Sequence, residues 1–460
     1  MIKSQNTIDD KDKSCYYIAC CARKVVKMLI RFSVENFRSF KDRQSLYLNT
    51  VKTCKEWLDE NTSEDVGVRA VRTSVIYGAN ASGKTNLLIA MLRMKAFMLS
   101  SVDIDKTPNF LLAEPFLLCK DNLGQPESFE LEFTAECRHF IYGFSLFLKD
   151  TEPSNYVISK EWLIEVVKGR NIPCFIRESG TGTDEEPADV IDVNEKRMPQ
   201  GKGLEQRTRP NSLFFTVSAQ FAEPTCQMIS EYIRASFNVI SGVNRQGMAE
   251  YSKSKLILDA EMADRIKKLI SDADTGVKDL LMGDNGQMLS NHNLYDADGA
   301  VIGRYSFMFS FAESQGTQKL FDLAGMLIDT LHNGRVLAID ELDAQLHPIL
   351  VRRLIELFND PKTNPQNAQL IFNAQSPDLL GYKVYSEAKG KKITRLRRDQ
   401  IYFVEKDNME ASKLFSLIEF KRDSGLRTRN DASYDKDYLS GVYGGIPFPK
   451  EMVAEVSGNG

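Results

Sequence analysis

The chain has 460 residues, a net charge of −4, 42% hydrophobic and 27% charged residues. That is the balance of a soluble globular protein, with room for one elaborated domain or two to three smaller ones. The charge excludes a global field for nucleic acid, and no apolar run is long enough to span a membrane. Eight cysteines without a C-x-x-C pair, beside only four histidines, form no zinc framework. The thiols read as reduced and mostly buried, which predicts a cytoplasmic protein.

Residues 1–27 are polar, then briefly apolar, then basic. Acidic residues ahead of a short apolar run, with no clear cleavage site, do not make a signal peptide. Either Met28 is the natural start, or residues 1–27 form a loosely attached, poorly ordered extension. From Met28 the pattern predicts two strands, Leu29–Phe37 and Ser45–Asn49. Residues 51–72 are polar, with a short helix at Cys54–Leu58.

Residues 73–86 read TSVIYGANASGKTN and fit G-x-x-x-x-G-K-S/T from Gly78 to Thr85. Glycines at this spacing let the backbone curl so that successive N–H groups point at a phosphate. Lys84 adds a cation for the β- and γ-phosphates, and the Thr85 hydroxyl can hold Mg²⁺. Gly78, Asn80, Ser82, Gly83 and Asn86 complete the candidate nucleotide loop. The flanks suit it: Val75–Tyr77 is β-prone, and apolar residues at helical spacing follow Asn86.

After a loop at 101–109 come alternating runs at Glu114–Cys119, Ser128–Ala135, His139–Leu148, Tyr156–Lys168 and Pro173–Glu178. These predict an antiparallel meander beside the nucleotide core. Residues 179–210 read as loop, 211–272 as helices, and 277–312 as strands again. The division expected is 28–210 for the first half of the core with its β lobe, 211–276 for a helical insertion, and 277–460 for the second half and a C-terminal segment.

The strand at 335–340 ends in Asp340-Glu341, a Walker B pattern: Asp340 for the Mg²⁺ shell, Glu341 to polarise the attacking water. Ser314 and Gly316 stand at the start of an apolar helix, Leu320–Leu331. That position is an anion site or an ordinary N-cap. His347, in a Leu-His-Pro helix start, reads as capping or packing. The basic run 389–398, with Lys421, Arg422, Arg427 and Arg429, reads as solvated surface or as a contact for DNA or a partner.

Taken together, VENFRSF (34–40), GANASGKTN (78–86), NSLFFTVSAQ (211–220), ESQGTQKL (313–320), VLAIDELDAQLHP (336–348), QLIFNAQSPDLL (369–380), LRRDQIYFVEKD (396–407) and YLSGVYGGIP (438–447) resemble the ABC-like ATPases of the RecF, SMC and OLD kind. The chain is most similar to the compact ATP-binding proteins of bacterial two-gene defence systems (RloA-like, with AriA and PtuA as relatives). The resemblance implies an α/β fold: an ABC-type P-loop ATPase core with an antiparallel β lobe and a helical insertion. It implies ATP and Mg²⁺ as cofactors and an ATP-sandwiched homodimer, in which Ser314 and Gly316 of one copy meet the γ-phosphate bound by the other. Asp343 falls at the D-loop, which crosses that interface. Gln375 falls where such ATPases usually carry a switch histidine. Glutamine can orient water but cannot take a proton, which implies slow turnover or a sensor-like ATPase. The implied work is sensing or gating in anti-phage defence, with a separately encoded effector, a nuclease or Toprim-like protein. A RecF-like repair ATPase and a non-hydrolysing ATP-dependent scaffold are the alternatives. OLD-type relatives append their own Toprim domain. Glu405 with Asp435 and Asp437 fits that pattern superficially, but the segment is short for such a domain, and Glu405 reads as the end of the last core strand.

Overall fold

The computed structural model describes residues 27–103, 112–179, 189–241, 246–283, 285–387, 390–421, 428–429 and 432–446. The loop expected at 101–109, the extension at 1–27 and the basic residues Lys389, Arg422 and Arg427 lie wholly or largely outside them.

The chain opens with an antiparallel pair, β1 (Met28–Glu35) and β2 (Gln44–Tyr47). The polar stretch that follows folds as a hairpin, β3 (Thr62–Asp65) and β4 (Val68–Val71), and Cys54–Leu58 form turns instead of a helix. Trp57 in that stretch adopts φ 47°, which no helix admits. Next come β5 (Thr73–Tyr77) and α1 (Lys84–Ser100), the strand and helix expected on either side of the glycine loop.

The meander is β6 (Glu127–Ala135), β7 (Arg138–Leu148), β8 (Tyr156–Val167), β9 (Arg170–Glu178) and the short β10 (Val190–Val193). With β1 and β2 it makes one antiparallel sheet in the order β10-β9-β8-β7-β6-β1-β2. Glu114–Cys119 is not one of its strands. Pro115 has no N–H for a ladder, and Glu114 is held by Arg38 and Arg93. The inner face of the lobe packs on α1 through Phe97, which meets Phe144 and Tyr156 at ring distances of 5.3 and 5.6 Å.

The middle of the chain holds α2 (Phe214–Gln220), α3 (Pro224–Ser236), β11 (Phe237–Ile240), α4 (Gln246–Leu258) and α5 (Ala260–Asp272). It is helical as expected except for β11, which joins the core sheet. β12 (Asp279–Met282), β13 (Met288–Tyr295) and β14 (Val301–Met308) form a separate three-stranded sheet. The turn α6 (Phe309–Ala312) and the long α7 (Gln315–Asn333) follow. The rest is β15 (Val336–Ile339), α8 (Pro348–Asn359), β16 (Gln369–Asn373), α9 (Asp378–Gly381), β17 (Lys383–Ser386), β18 (Lys391–Thr394), β19 (Ile401–Lys406), β20 (Ser412–Ser416) and α10 (Tyr434–Leu439).

The core sheet runs β11-β15-β16-β5-β19-β20, parallel but for β20 at its edge. β15, β16 and β5 are buried throughout, which is why they read as continuous apolar runs. The architecture is mixed α/β, with a P-loop strand and helix at its centre, an antiparallel lobe on one side and helices on the other. β19 is not the last strand, because β20 pairs with it. Among the described residues no helix is long and apolar enough to cross a membrane.

Candidate nucleotide site

The glycine loop curls from β5 into α1. Gly83 adopts φ 112°, and Ala81 is left-handed at φ 62°. Both glycines are required by space as well. An added methyl at Gly78 would lie 2.4 Å from the Val404 carbonyl oxygen, and one at Gly83 would lie 2.2 Å from Ser412 Oγ. Asn80, Ala81 and Thr85 face solvent, whereas Ser82 and Lys84 are buried. Ser82 Oγ is a buried hydroxyl with no hydrogen-bond partner among the described residues. Lys84 Nζ donates back to the loop itself, to the carbonyls of Gly78 at 2.6 Å and Ala79 at 3.0 Å. Burial lowers the Lys84 pKa, opposed by the charges of Asp340, Glu341 and Asp343.

The order of strands brings the second half of the site to the loop. β16 lies between β5 and β15, so three neighbouring strand ends open side by side. Thr85 Oγ1 donates to Asp340 Oδ2 at 2.9 Å, and Asn373 Nδ2 donates to Asp340 Oδ1 at 2.8 Å. Asp340 is thereby fixed between the first helical turn of α1 and the end of β16. Glu341, at φ 50°, turns its chain sharply out of the sheet. Gln375 Nε2 donates to Glu341 Oε1 at 3.2 Å. Asp343 Oδ2 accepts from the backbone N–H groups of Gln375 and Ser376, both at 2.8 Å. Lys84, Thr85, Asp340, Glu341, Asp343 and Gln375 thus form one neighbourhood. Its chemistry suits a divalent cation held jointly with phosphate oxygens: one hydroxyl, one buried carboxylate and a loop of backbone N–H groups. Among the described residues no group of three or more His, Cys, Asp or Glu side chains could hold a metal by itself.

Ser314 and Gly316 stand apart from that network. Ser314 caps α7, accepting from the Thr317 N–H at 3.1 Å, and is exposed. Gly316 packs against the turn that leaves β15: a methyl there would lie 2.8 Å from the Gln345 carbonyl oxygen. The helix start is therefore seated on the Asp343–Gln345 turn of its own chain. His347 caps α8, its Nδ1 accepting from the Ile349 N–H at 3.3 Å.

Two supports of the loop were not among the expected site residues. Asn86 Nδ2 donates to Ser39 Oγ at 2.8 Å, and Ser412 Oγ, 2.8 Å from the same hydroxyl, donates to the Ser82 carbonyl at 2.6 Å. The end of α10 and the residues after it also lie against the loop. Tyr438 packs on Tyr77 at 5.4 Å between ring centres, and a methyl on Gly445 would lie 3.5 Å from Gly78 Cα. Only an unusual density of Ser and Gly in 438–445 marks this role in the sequence. Asn373 could have been found from its place at the strand end, two residues before Gln375.

Within the basic run Arg395, Arg397 and Arg398 turn inward, whereas Lys391 and Lys392, and beyond it Lys421 and Arg429, are exposed. Arg397 is fully buried, donating to the Cys54 carbonyl at 2.9 Å and the Glu56 carbonyl at 2.6 Å and pairing with Asp399 at 2.6 Å. Arg398 pairs with Glu56 at 3.0 Å, and Arg395 covers the Trp57 ring. These three arginines hold the 51–61 turns and are not a surface for DNA. Glu405 lies against Gly444, and Asp437 accepts from the Tyr443 hydroxyl at 2.9 Å, so the two acids serve packing and a local bond.

Residues 255–381 match the family described as "AAA domain, putative AbiEii toxin, Type IV TA system". The match takes in α7, the acidic strand and β16, and leaves out the glycine loop. No curated protein matches the chain. Similar solved structures include the SMC head domain from Thermotoga maritima, with a TM-score of 0.38 and 14% identity, covering 84% of this chain and 98% of that one. Another is the recombination mediator protein RecF with ATP, with a TM-score of 0.31 and 12% identity, covering 86% of this chain and 99% of that one.

Proposed function

We propose that the chain is an ABC-type ATPase that binds and hydrolyses Mg·ATP, and that it works as the sensor or regulator of a separately encoded effector in bacterial anti-phage defence. The observation that carries the ATPase reading is the hydrogen-bonded chain from Thr85 through Asp340 to Asn373, next to the Glu341–Gln375 pair, at the mouth of the glycine loop. Bound Mg²⁺, held by Thr85 and Asp340 together with phosphate oxygens, would offset phosphate charge. Lys84 exchanges the Gly78 and Ala79 carbonyls for the β- and γ-phosphates. Glu341 accepts the proton of the attacking water, and Gln375 fixes the Glu341 carboxylate. Because the Gln375 amide cannot take that proton on from Glu341, the chain turns over slowly or serves as a sensor-like ATPase. Ser314 and Gly316 face the nucleotide of a second copy, with Asp343 at the shared boundary.

The reading of a separate effector is supported by the acids that would furnish a nuclease metal site here, since Glu405 lies against Gly444 and Asp437 accepts from Tyr443. The defence role draws on the sequence resemblance, and the matched family's description as an AAA domain of toxin–antitoxin context points the same way.

The test is ATP turnover by purified protein, with and without linear double-stranded DNA, beside Lys84→Ala. Turnover that ignores DNA and disappears in Lys84→Ala supports the partner-gated switch. Strong stimulation by DNA would favour a repair ATPase or a direct DNA sensor. ATP binding with no turnover in either protein would leave a scaffold.

A further inference from the structure

The sheet β12-β13-β14 carries the least covered apolar surface among the described residues. Along β14, Ile302 is 62% exposed, Tyr305 55% and Phe307 42%. Just past it, Phe311 is 82% exposed. The exposure is not confined to one side. Tyr305 and Phe307 share a face with His292 and Ser290 of β13, whereas Met308 and the exposed Val301 lie on the opposite face, with Leu289 and Tyr295, and Ile302 sits in the bulge beside Val301. β14 is also an edge strand, as is β12, so among the described residues its outer backbone edge pairs with no strand. Soluble proteins blunt such edges with Lys, Pro or a cover. β14 has no Lys or Pro, and Arg304 is its one charged residue.

These features together specify the occupant. A flat partner covers one face of a sheet. A strand added at the edge brings side chains to both faces and pairs the open backbone groups. Exposed apolar side chains of Leu294–Phe311 amount to on the order of 800 Å² over the two faces, above the few hundred found on a typical monomer and near one partner's share of a stable interface. A nearly uncharged edge with apolar residues on both sides matches an identical edge well, since two-fold pairing sets the same patch against itself without opposing charges. The hairpin is held firmly enough to present this edge: Glu313 accepts from Ser290 Oγ at 2.6 Å and pairs with His292 at 2.8 Å, and the Tyr305 and Phe307 rings pack at 4.8 Å.

We infer that a second copy of this chain docks along the β14 edge, and that it does so without nucleotide. The contact uses the edge of β14, whereas the proposed ATP sandwich uses Ser314 and Gly316 at the start of α7. By tethering two copies it raises the effective concentration for any nucleotide-dependent contact.

The test is the molar mass in solution without nucleotide, by size exclusion with light scattering, for wild type, Ile302→Lys, Phe307→Lys and the control Leu258→Lys, an exposed apolar site outside the hairpin. Wild type and Leu258→Lys should have the mass of two chains, and the two hairpin variants the mass of one. Hydrogen exchange on the wild type, which needs no variant to fold, should show β14 amides gaining protection as protein concentration rises. A wild type that is one chain without nucleotide overturns the inference, including the case where it pairs only with ATP or only with another protein. A Phe307→Lys variant that stays paired overturns it as well, as does β14 protection that ignores concentration.

Discussion

At the scale of single residues, the site rests on a few side chains with separable jobs. Gln375 is exposed and touches Glu341 without contacting the loop. Gln375→Ala should therefore lower kcat about tenfold and leave ATP affinity nearly unchanged, as steady-state kinetics with a parallel binding titration would show. A rise in the ATP dissociation constant of the same size would move Gln375 from the reacting water to the phosphates. Away from the site, Glu127 is buried in the lobe, and burial pushes its pKa up to about 8, against the pull of Arg93 and of the Glu114 backbone. Its folded-state pKa lies above the unfolded one, so its contribution is present at low pH and is lost as pH rises towards about 8. Urea unfolding of the wild type should show stability falling between about pH 5 and about pH 8, and Glu127→Gln should flatten that slope. An identical slope in the variant would remove Glu127 as its source.

At the scale of elements, the glycine loop is held by its neighbours as much as by its own sequence. A methyl on Gly78 meets a backbone oxygen of β19, which cannot rotate away. Gly78→Ala should weaken ATP binding by at least about tenfold by forcing the loop off β19, while the secondary-structure signal stays native. Nucleotide titration and circular dichroism together check this. Arg397 is the corresponding case in the structural part of the molecule. Its guanidinium is wholly buried between two carbonyls and Asp399, so Arg397→Ala should cost roughly 3–5 kcal/mol in chemical denaturation by leaving that carboxylate unpaired. The same element shows where sequence reading fails. Arginines in a run look solvated because charge density is local information, whereas the carbonyls that bury Arg397 come from the turns around Cys54 and Glu56, far away in the chain. The opposite holds for β5, β15 and β16: buried on both faces and ending in Gly, Asp-Glu and Asn-Ala-Gln, they were legible because composition and position coincide. β11 was not, since four residues that continue a helical pattern carry no alternation, and only pairing with β15 makes them a strand. Glu114–Cys119 erred the other way, its apolar pattern outweighed by Pro115 and by two arginines gathered on Glu114.

At the scale of the whole molecule, the strand order does most to create the site. Placing β16 between β5 and β15 sets Asn373 and Gln375 between the loop and the acids, an arrangement that residue spacing alone does not contain. The glycine loop and acidic pair were named from sequence, but the supports of the loop by Ser39, Ser412 and the 438–445 segment arise from tertiary closure. Ser314 and Gly316 belong to this scale too, because within one chain they cap a helix and pack on the Gln345 turn; a role at phosphate requires a second copy. The most direct measurement is ATP binding and turnover side by side for wild type and Glu341→Gln. The result predicted is binding within about threefold of wild type with turnover down at least about a hundredfold, since the role proposed for Glu341 is on water and not on the bound nucleotide. Turnover that survives in Glu341→Gln, or ATP binding lost with it, would contradict the assignment of this site.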